Sequence, residues 1–359
     1  MEKNNKKNNV DIKEKIFNIK YKDLIEAIYQ ALLFREADEG GLKTYSKILD
    51  ERGIADVIRG IIESKEFFIK YTEFTSKKKN DIYTAYNKPV YIIIHILKTA
   101  GTSLRKYLNL IFEDKSIDPA PSIKHKAMAT LPIAYFLKYK FIMAHMDYDF
   151  VSLIPRKKKF LITFLRDPFQ RLWSEYNFLK SHNVEKIDPV NPIPSHPLLY
   201  DACKYPPEEF FSKHKNSEII WNTMSKFILG VSLFRKIKNK YLKIYDHKER
   251  KAFLDEKVKP IIKNRLKKFF FIGIQEDFET AVKSLVKKLG KQPISEIPKE
   301  NVTGKTQNIL IKPDFKKLPL TKDAIKILKP FVEIDKILYE EGKKLYYEKF
   351  RQNDLPKTK

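Results

Sequence analysis

Apolar residues recur at three- and four-residue spacing twice near the start of the chain, first at Leu24, Ile25, Ile28 and Leu32, then at Ile54, Val57, Ile58, Ile61 and Ile62. That period predicts two or three short amphipathic helices between Tyr21 and Lys70. Between them Phe34 to Leu42 breaks the pattern, and Gly40 and Gly41 suit positive φ and a helix stop. Arg35 and Asp38 are spaced for a local ion pair that would hold this loop. Ser76 to Asn80, with three consecutive lysines, reads as a linker. The expected organisation is a small helical unit over 18–75, a linker over 76–88 and a larger domain over 89–350.

From Pro89 the pattern changes period. Val90 to Ile94 is a β-branched run of the kind that forms a buried parallel strand, and Ser103 to Phe112 is amphipathic, with Leu104, Leu108 and Ile111 on one face. Apolar strands are expected again at Tyr139 to Ala144, Phe160 to Leu165 and Phe269 to Ile274. The last two are followed by helical patterns, one through Trp173, Tyr176 and Phe178 and one over Phe278 to Leu289. Alternating strand and helix predicts an α/β domain with a central parallel sheet flanked by helices, preceded by a small all-α domain.

Composition narrows the classes. With 359 residues and 43% apolar content the chain can bury a sizeable core. Apolar stretches such as Pro89 to Leu97 fall well short of the ~20 residues that cross a bilayer. Met1 to Val10 is rich in Asn and Lys, without the apolar segment of a secretory signal, which leads us to expect a cytoplasmic protein. The single cysteine, Cys203, has no internal disulfide partner and no metal-ligand spacing around it. The net charge is +26, yet residues 1–80 hold 17 Lys and Arg against 14 Asp and Glu, so the basic character belongs to the larger C-terminal part. Such charge fits an anionic ligand or polymer.

Two segments carry candidate chemistry. His95-Ile96-Leu97-Lys98-Thr99-Ala100-Gly101-Thr102-Ser103 lies between the first strand and its helix. It joins a cation, hydroxyls and a Gly to free backbone N–H groups and the positive end of a helix dipole, which together make an anion cradle. The order departs from G-x-x-x-x-G-K-[ST], which disfavours a standard nucleotide-triphosphatase loop. Thr163-Phe164-Leu165-Arg166-Asp167-Pro168 ends the third strand, and Ser174 follows eight residues after Arg166. A bend at Asp167-Pro168 would let guanidinium and hydroxyl converge on one phosphate. His145, at the end of the second strand, has the near-neutral intrinsic pKa of a general base, and His95 is its rival.

The first loop resembles H-I-P-K-T-G-G-T-S, the 5'-phosphosulfate loop of the carbohydrate sulfotransferases of heparan-sulfate 2-O kind. Leu97 and Ala100 stand where Pro and Gly are usual, and Ala100 is expected to crowd the phosphates with a methyl group. The run Thr163 to Tyr176 is similar to the same family's 3'-phosphate motif. The resemblance implies a P-loop-like three-layer fold and 3'-phosphoadenosine-5'-phosphosulfate (PAPS) as sulfuryl donor, without a metal. It places Lys98, Thr99, Ala100, Gly101, Thr102 and Ser103 on the 5'-phosphosulfate and Arg166 and Ser174 on the 3'-phosphate. His145 becomes the catalytic base, with Lys98 stabilising the leaving phosphate. Trp221 to Gly230 is similar to a segment bordering the substrate cleft. Phe271 to Glu279 resembles the closing strand and helix, and Lys305 and Thr306 sit in a loop that folds over the donor in relatives. The acceptor implied is a glycan or glycolipid, anionic ones included.

Residues from Tyr29 to Leu42 with Ser64 to Phe68 resemble a small bacterial helical domain of unassigned function, which implies a module binding a protein or a glycan. Three rivals remain open: a metal-dependent nucleotide kinase, a polyanion-binding protein without specific nucleic-acid recognition, and a catalytically inactive relative.

Overall fold

A computed structural model of the chain describes residues 21–33, 35–67, 69–70, 86–112, 136–137, 139–154, 156–183, 196–295, 312 and 315–351. Lys305, Thr306, Phe34 and most of the linker expected over 76–88 lie outside these residues. The described residues fall into two compact units, one with the helices of 21–70 together with 86–88, 136–137 and 156–157, and one that begins at Pro89 and holds the sheet.

The helical unit comprises α1 (21–33), α2 (Glu39–Arg52) and α3 (Ile54–Ile62). Ile25, Ile28, Tyr29, Leu33, Val57 and Ile61 form its core, as the helical spacing requires. The expected Arg35–Asp38 ion pair forms at 3.0 Å, and Arg35 also grips Glu66 through both carboxylate oxygens, at 2.7 and 2.8 Å. Asp38 caps α2 by accepting from the Gly41 amide. The glycines act differently from the expectation. Gly40 and Gly41 lie inside the first turn of α2, where a Cβ on Gly41 would stand 2.1 Å from the Tyr29 hydroxyl. The helix-stopping glycine is Gly53, with φ 88° between α2 and α3.

The second unit is built on four parallel strands, β1 (Val90–Ile94), β2 (Phe141–Ala144), β3 (Lys159–Leu165) and β4 (Phe269–Ile274), in the order β2-β1-β3-β4. Two strand–helix steps follow the sequence pattern here, β1 to α4 (Gly101–Phe112) and β3 to α6 (Pro168–Lys180), while β2 leads to a short helix the pattern did not predict, α5 (Tyr148–Leu153). Further on come α7 (Thr223–Leu229), α8 (Phe278–Lys288) after β4, and α9 (Glu333–Lys349). The sheet is α/β, parallel and flanked by helices, as its β-branched runs predict.

One polar knot fastens this unit. Asn222 sits in the left-handed region (φ 46°) just before α7, and its side-chain oxygen accepts from the amides of Ile334 and Asp335 at the start of α9. Asp335 answers by accepting from the amides of Met224 and Ser225 in the first turn of α7. Each helix start therefore supplies the other's cap. Arg171 of α6, fully buried, provides the opposing charge, although burial still raises the Asp335 carboxyl above its usual range.

Candidate functional site

The strand order decides where chemistry can gather. β1 runs onward to β2 on one side, while β3 and β4 lie on the other, so the chain reverses direction across the sheet between β1 and β3. The carboxyl ends of strands at such a point border a crevice. Ile94 ends β1 opposite Ala144 and Thr163, and the Thr163 hydroxyl donates to the Ile94 carbonyl at 3.0 Å. The loops bearing Lys98, His145 and Arg166 thus leave the sheet at one edge.

The first loop is held in a costly shape. Lys98 and Ala100 both have positive φ, 66° and 63°. Each such residue costs about 1–2 kcal/mol, so the surroundings must impose it. The Thr99 hydroxyl, 2% exposed, turns inward to the Ile96 carbonyl at 2.8 Å, and the Leu104 amide closes on the Ala100 carbonyl. Arg166 reaches across from the end of β3 to donate from Nη1 to the Lys98 carbonyl at 3.0 Å. The two segments picked out separately in sequence are therefore one hydrogen-bonded unit.

This geometry adds to two expectations. The Thr99 hydroxyl donates inside the loop, to the Ile96 carbonyl. The cost of Ala100 is in its backbone: a left-handed residue favours glycine whatever occupies the site. Ala100→Gly is accordingly expected to stabilise the protein by roughly 0.5–1 kcal/mol, the relief of strain less the greater freedom of the unfolded chain. A higher urea midpoint at unchanged slope is the check.

Gly101 begins α4 against the ring of His95, where a Cβ would fall 1.8 Å from Nε2. The His95 ring in turn stacks on His145, with centroids 4.3 Å apart at 29°, and the His95 carbonyl lies 2.8 Å from His145 Nδ1. A carbonyl can only accept, so Nδ1 carries the proton and Nε2 keeps the lone pair of the neutral ring. Burial pushes His95 well below its ordinary pKa, helped by His145, Arg105 and Lys98. His95 is thus held toward its neutral form against Gly101, and His145 carries its lone pair on Nε2. Burial lowers His145 too, while the His95 carbonyl and Glu175 work against that.

Around Lys98 the site is basic and partly shielded from solvent. The Lys98 ammonium lies 4.1 Å from the centre of the Phe178 ring, and burial lowers its pKa against the pull of Glu175. Arg166 keeps Nε buried without a hydrogen-bond partner among the described residues. Ser174, half-buried, lies one helical turn before Phe178, on the side of α6 nearest Lys98. Thr102 is exposed and Ser103 buried in the first turn of α4. Among the described residues no group of three or more His, Cys, Asp or Glu is arranged to hold a metal ion, and no helix is long and apolar enough to cross a membrane.

Two features escaped the sequence. The segment 315–320 is strapped to α6 through Leu318, whose carbonyl accepts from Trp173 Nε1 at 2.8 Å and whose amide donates to Asn177 Oδ1 at 2.7 Å. It brings the exposed Lys317 into electrostatic reach of Lys98. The signal was Trp173 and Asn177 at helical spacing four, which reads equally well as plain packing. Glu175, 5% exposed in the middle of the basic motif, is the second.

The model of the sulfotransferase family matches residues 83–351, and that of a domain of unknown function (DUF4214) matches residues 11–71. No curated protein matches the chain.

Proposed function

The chain belongs to the sulfotransferase family, and on that premise we propose that it transfers a sulfuryl group from PAPS to a hydroxyl of a carbohydrate acceptor, a polysaccharide or glycolipid. The observation that carries this reading is the hydrogen bond from Arg166 to the Lys98 carbonyl, which joins two anion-binding segments at one sheet edge. A donor with phosphate at both its 5' and 3' positions needs two grips at a set separation. The residues present suit such a donor. Among the described residues the buried Arg166 Nε has no hydrogen-bond partner, α4 begins at Gly101 with the positive end of its dipole at the loop, and burial lowers the pKa of Lys98 in that loop.

The donor supplies an activated sulfuryl group whose departing phosphate must be stabilised. Lys98 and the amides after Ala100 hold the 5' side, and Arg166 with Ser174 holds the 3' side. His145 Nε2 accepts the proton of the acceptor hydroxyl, since Nδ1 is pinned by the His95 carbonyl. Lys98 neutralises charge growing on the bridging oxygen that leaves sulfur. The lysine-rich surface beyond residue 80 favours an anionic acceptor by raising its local concentration. The helical unit serves as a docking module for a protein or glycan.

Calorimetry with 3',5'-ADP beside ADP and AMP, without metal, tests the assignment. Wild type should prefer the 3'-phosphorylated ligand, and Arg166→Ala should weaken 3',5'-ADP about 10–100-fold while changing ADP much less. Equal binding of all three by wild type would sink the two-grip reading and favour a polyanion binder. Tighter ADP binding that requires Mg²⁺ would favour a kinase.

A further inference from the structure

Among the described residues the Lys98 ammonium is held by a ring and by no polar group. Its Nζ lies 4.1 Å from the centre of the Phe178 ring, with neither a hydrogen bond nor an ion pair to another described side chain. The nearby charges act at longer range, Glu175 attracting it and Arg166, Lys317 and Arg171 repelling it. A lysine stem is flexible, so an ammonium in such surroundings keeps one position only where something fixes it. An aromatic face does so through its quadrupole, most strongly where water is partly excluded.

Phe178 is not an ordinary core ring. Trp173, Tyr176, Asn177 and Leu179 of α6 are buried, whereas Ser174 and Phe178, one turn apart, are half-buried and share a helix face that is left partly open. The ring is fixed in turn by His182, just past the end of α6. The imidazole stands at 89° to the Phe178 ring with centroids 4.8 Å apart, and His182 Nδ1 donates to the Phe178 carbonyl at 2.8 Å. His182 is itself buried, so the pair keeps its place. A π-face also differs from a carboxylate in what it takes from an ammonium. An ion pair would neutralise the charge and occupy N–H donors, whereas the ring leaves both the charge and the donors to an incoming anion.

We propose that Phe178 is a positioning residue for the transfer step, its ring face holding the Lys98 ammonium at the oxygen that leaves sulfur without neutralising it. This rests on the sulfuryl-transfer reading of Lys98. In the step, the acceptor oxygen bonds to sulfur and its proton goes to His145 Nε2. The bond from sulfur to the 5'-phosphate oxygen breaks, its electrons leave on 3',5'-ADP, and Lys98 meets the charge that grows there. Phe178 acts through Lys98 alone.

Three measurements on the same full-length proteins test this. They are cleavage of PAPS to 3',5'-ADP, with desulfated heparin as acceptor and with water alone, calorimetry with 3',5'-ADP, and the NMR shift of the Lys98 Cε protons, assigned by their loss in Lys98→Met. Phe178→Leu keeps apolar bulk and removes the ring. Its rate of PAPS cleavage should fall about tenfold while 3',5'-ADP affinity stays within about threefold, because the position of Lys98 matters most for charge that grows in the transition state. The Lys98 Cε protons, shifted upfield by the ring current in wild type, should move back downfield. Phe178→Tyr keeps a ring face and should recover rate and shift alike. Because the ring acts through one side chain, the double variant Lys98→Met, Phe178→Leu should be no slower than Lys98→Met. An unchanged Lys98 shift in folded Phe178→Leu overturns the proposal, as does a wild-type rate. Equal slowing of wild type and Lys98→Met by Phe178→Leu would reduce the ring to packing. Phe178→Met, flexible and without a ring, serves the same test where the leucine variant does not fold. The two readings fail separately: a wild type that neither binds 3',5'-ADP nor cleaves PAPS ends the transfer reading and this proposal with it, whereas normal cleavage by Phe178→Leu ends only the proposal.

Discussion

Lys98→Met is expected to lower kcat about 10²–10³-fold in a protein that still folds. Methionine fills the space of the lysine stem and can rest on the Phe178 ring that now carries the ammonium at 4.1 Å. The loop itself is held by groups the substitution leaves alone: the Arg166 bond to the Lys98 carbonyl, the Thr99 hydroxyl on Ile96, and the Leu104 amide on Ala100. What disappears is a largely buried cation which, in the proposed transfer, stands beside the oxygen that leaves sulfur and is worth more there than in water because less solvent competes with it. The loss should fall mainly on kcat, because charge on that oxygen grows in the transition state, and affinity for 3',5'-ADP should drop by a smaller factor. Steady-state kinetics paired with calorimetry separates the two. A variant that keeps wild-type kcat would remove Lys98 from the chemistry and leave it a binding residue only.

The largest effect on stability is expected from Asp335→Ala, about 3–5 kcal/mol of destabilisation read from urea unfolding. The substitution exposes three faults at once. The amides of Met224 and Ser225 lose their acceptor at a helix start, and Arg171 loses the carboxylate that balances its charge. Arg171 is fully buried and already has Nε and Nη1 without hydrogen-bond partners among the described residues, and Glu175 would be left as the remaining negative charge acting on it. Removing both charges should cost less than the sum of the parts: the double variant Arg171→Met, Asp335→Leu is expected to be more stable than Asp335→Ala. Additive losses would mean that the two side chains act as separate helix-capping and packing residues, not as a charge pair.

These expectations divide by how local their causes are. The strands at Val90, Phe141, Lys159 and Phe269 were legible because burial on both faces of a parallel sheet demands continuous apolar runs. The loop at Lys98 and the turn at Arg166 were legible for a similar reason, since anion-binding groups must sit where a strand gives way to a helix. Positive φ at Ala100 was not, because an Ala at that position gives no sign of a left-handed backbone. The glycines of α2 misled for the converse reason: Gly41 is there for the approach of Tyr29, a contact between helices that local spacing does not encode.

What the amino-acid sequence determined by itself was the alternation of strand and helix, the strand-to-helix turns at Lys98 and Arg166, and the segregation of basic charge beyond residue 80, all set by periodicity and residue type over short spans. Only the tertiary structure decided that β1 and β3 are neighbours, which brings Arg166 onto the Lys98 carbonyl across 68 residues. It alone stacked the His95 ring on His145 and turned His145 Nδ1 to the His95 carbonyl, which leaves the lone pair on Nε2. The reason is physical: the proton affinity of an imidazole or the cost of a carboxylate depends on burial and on charges from other elements, quantities that exist only once the chain has packed.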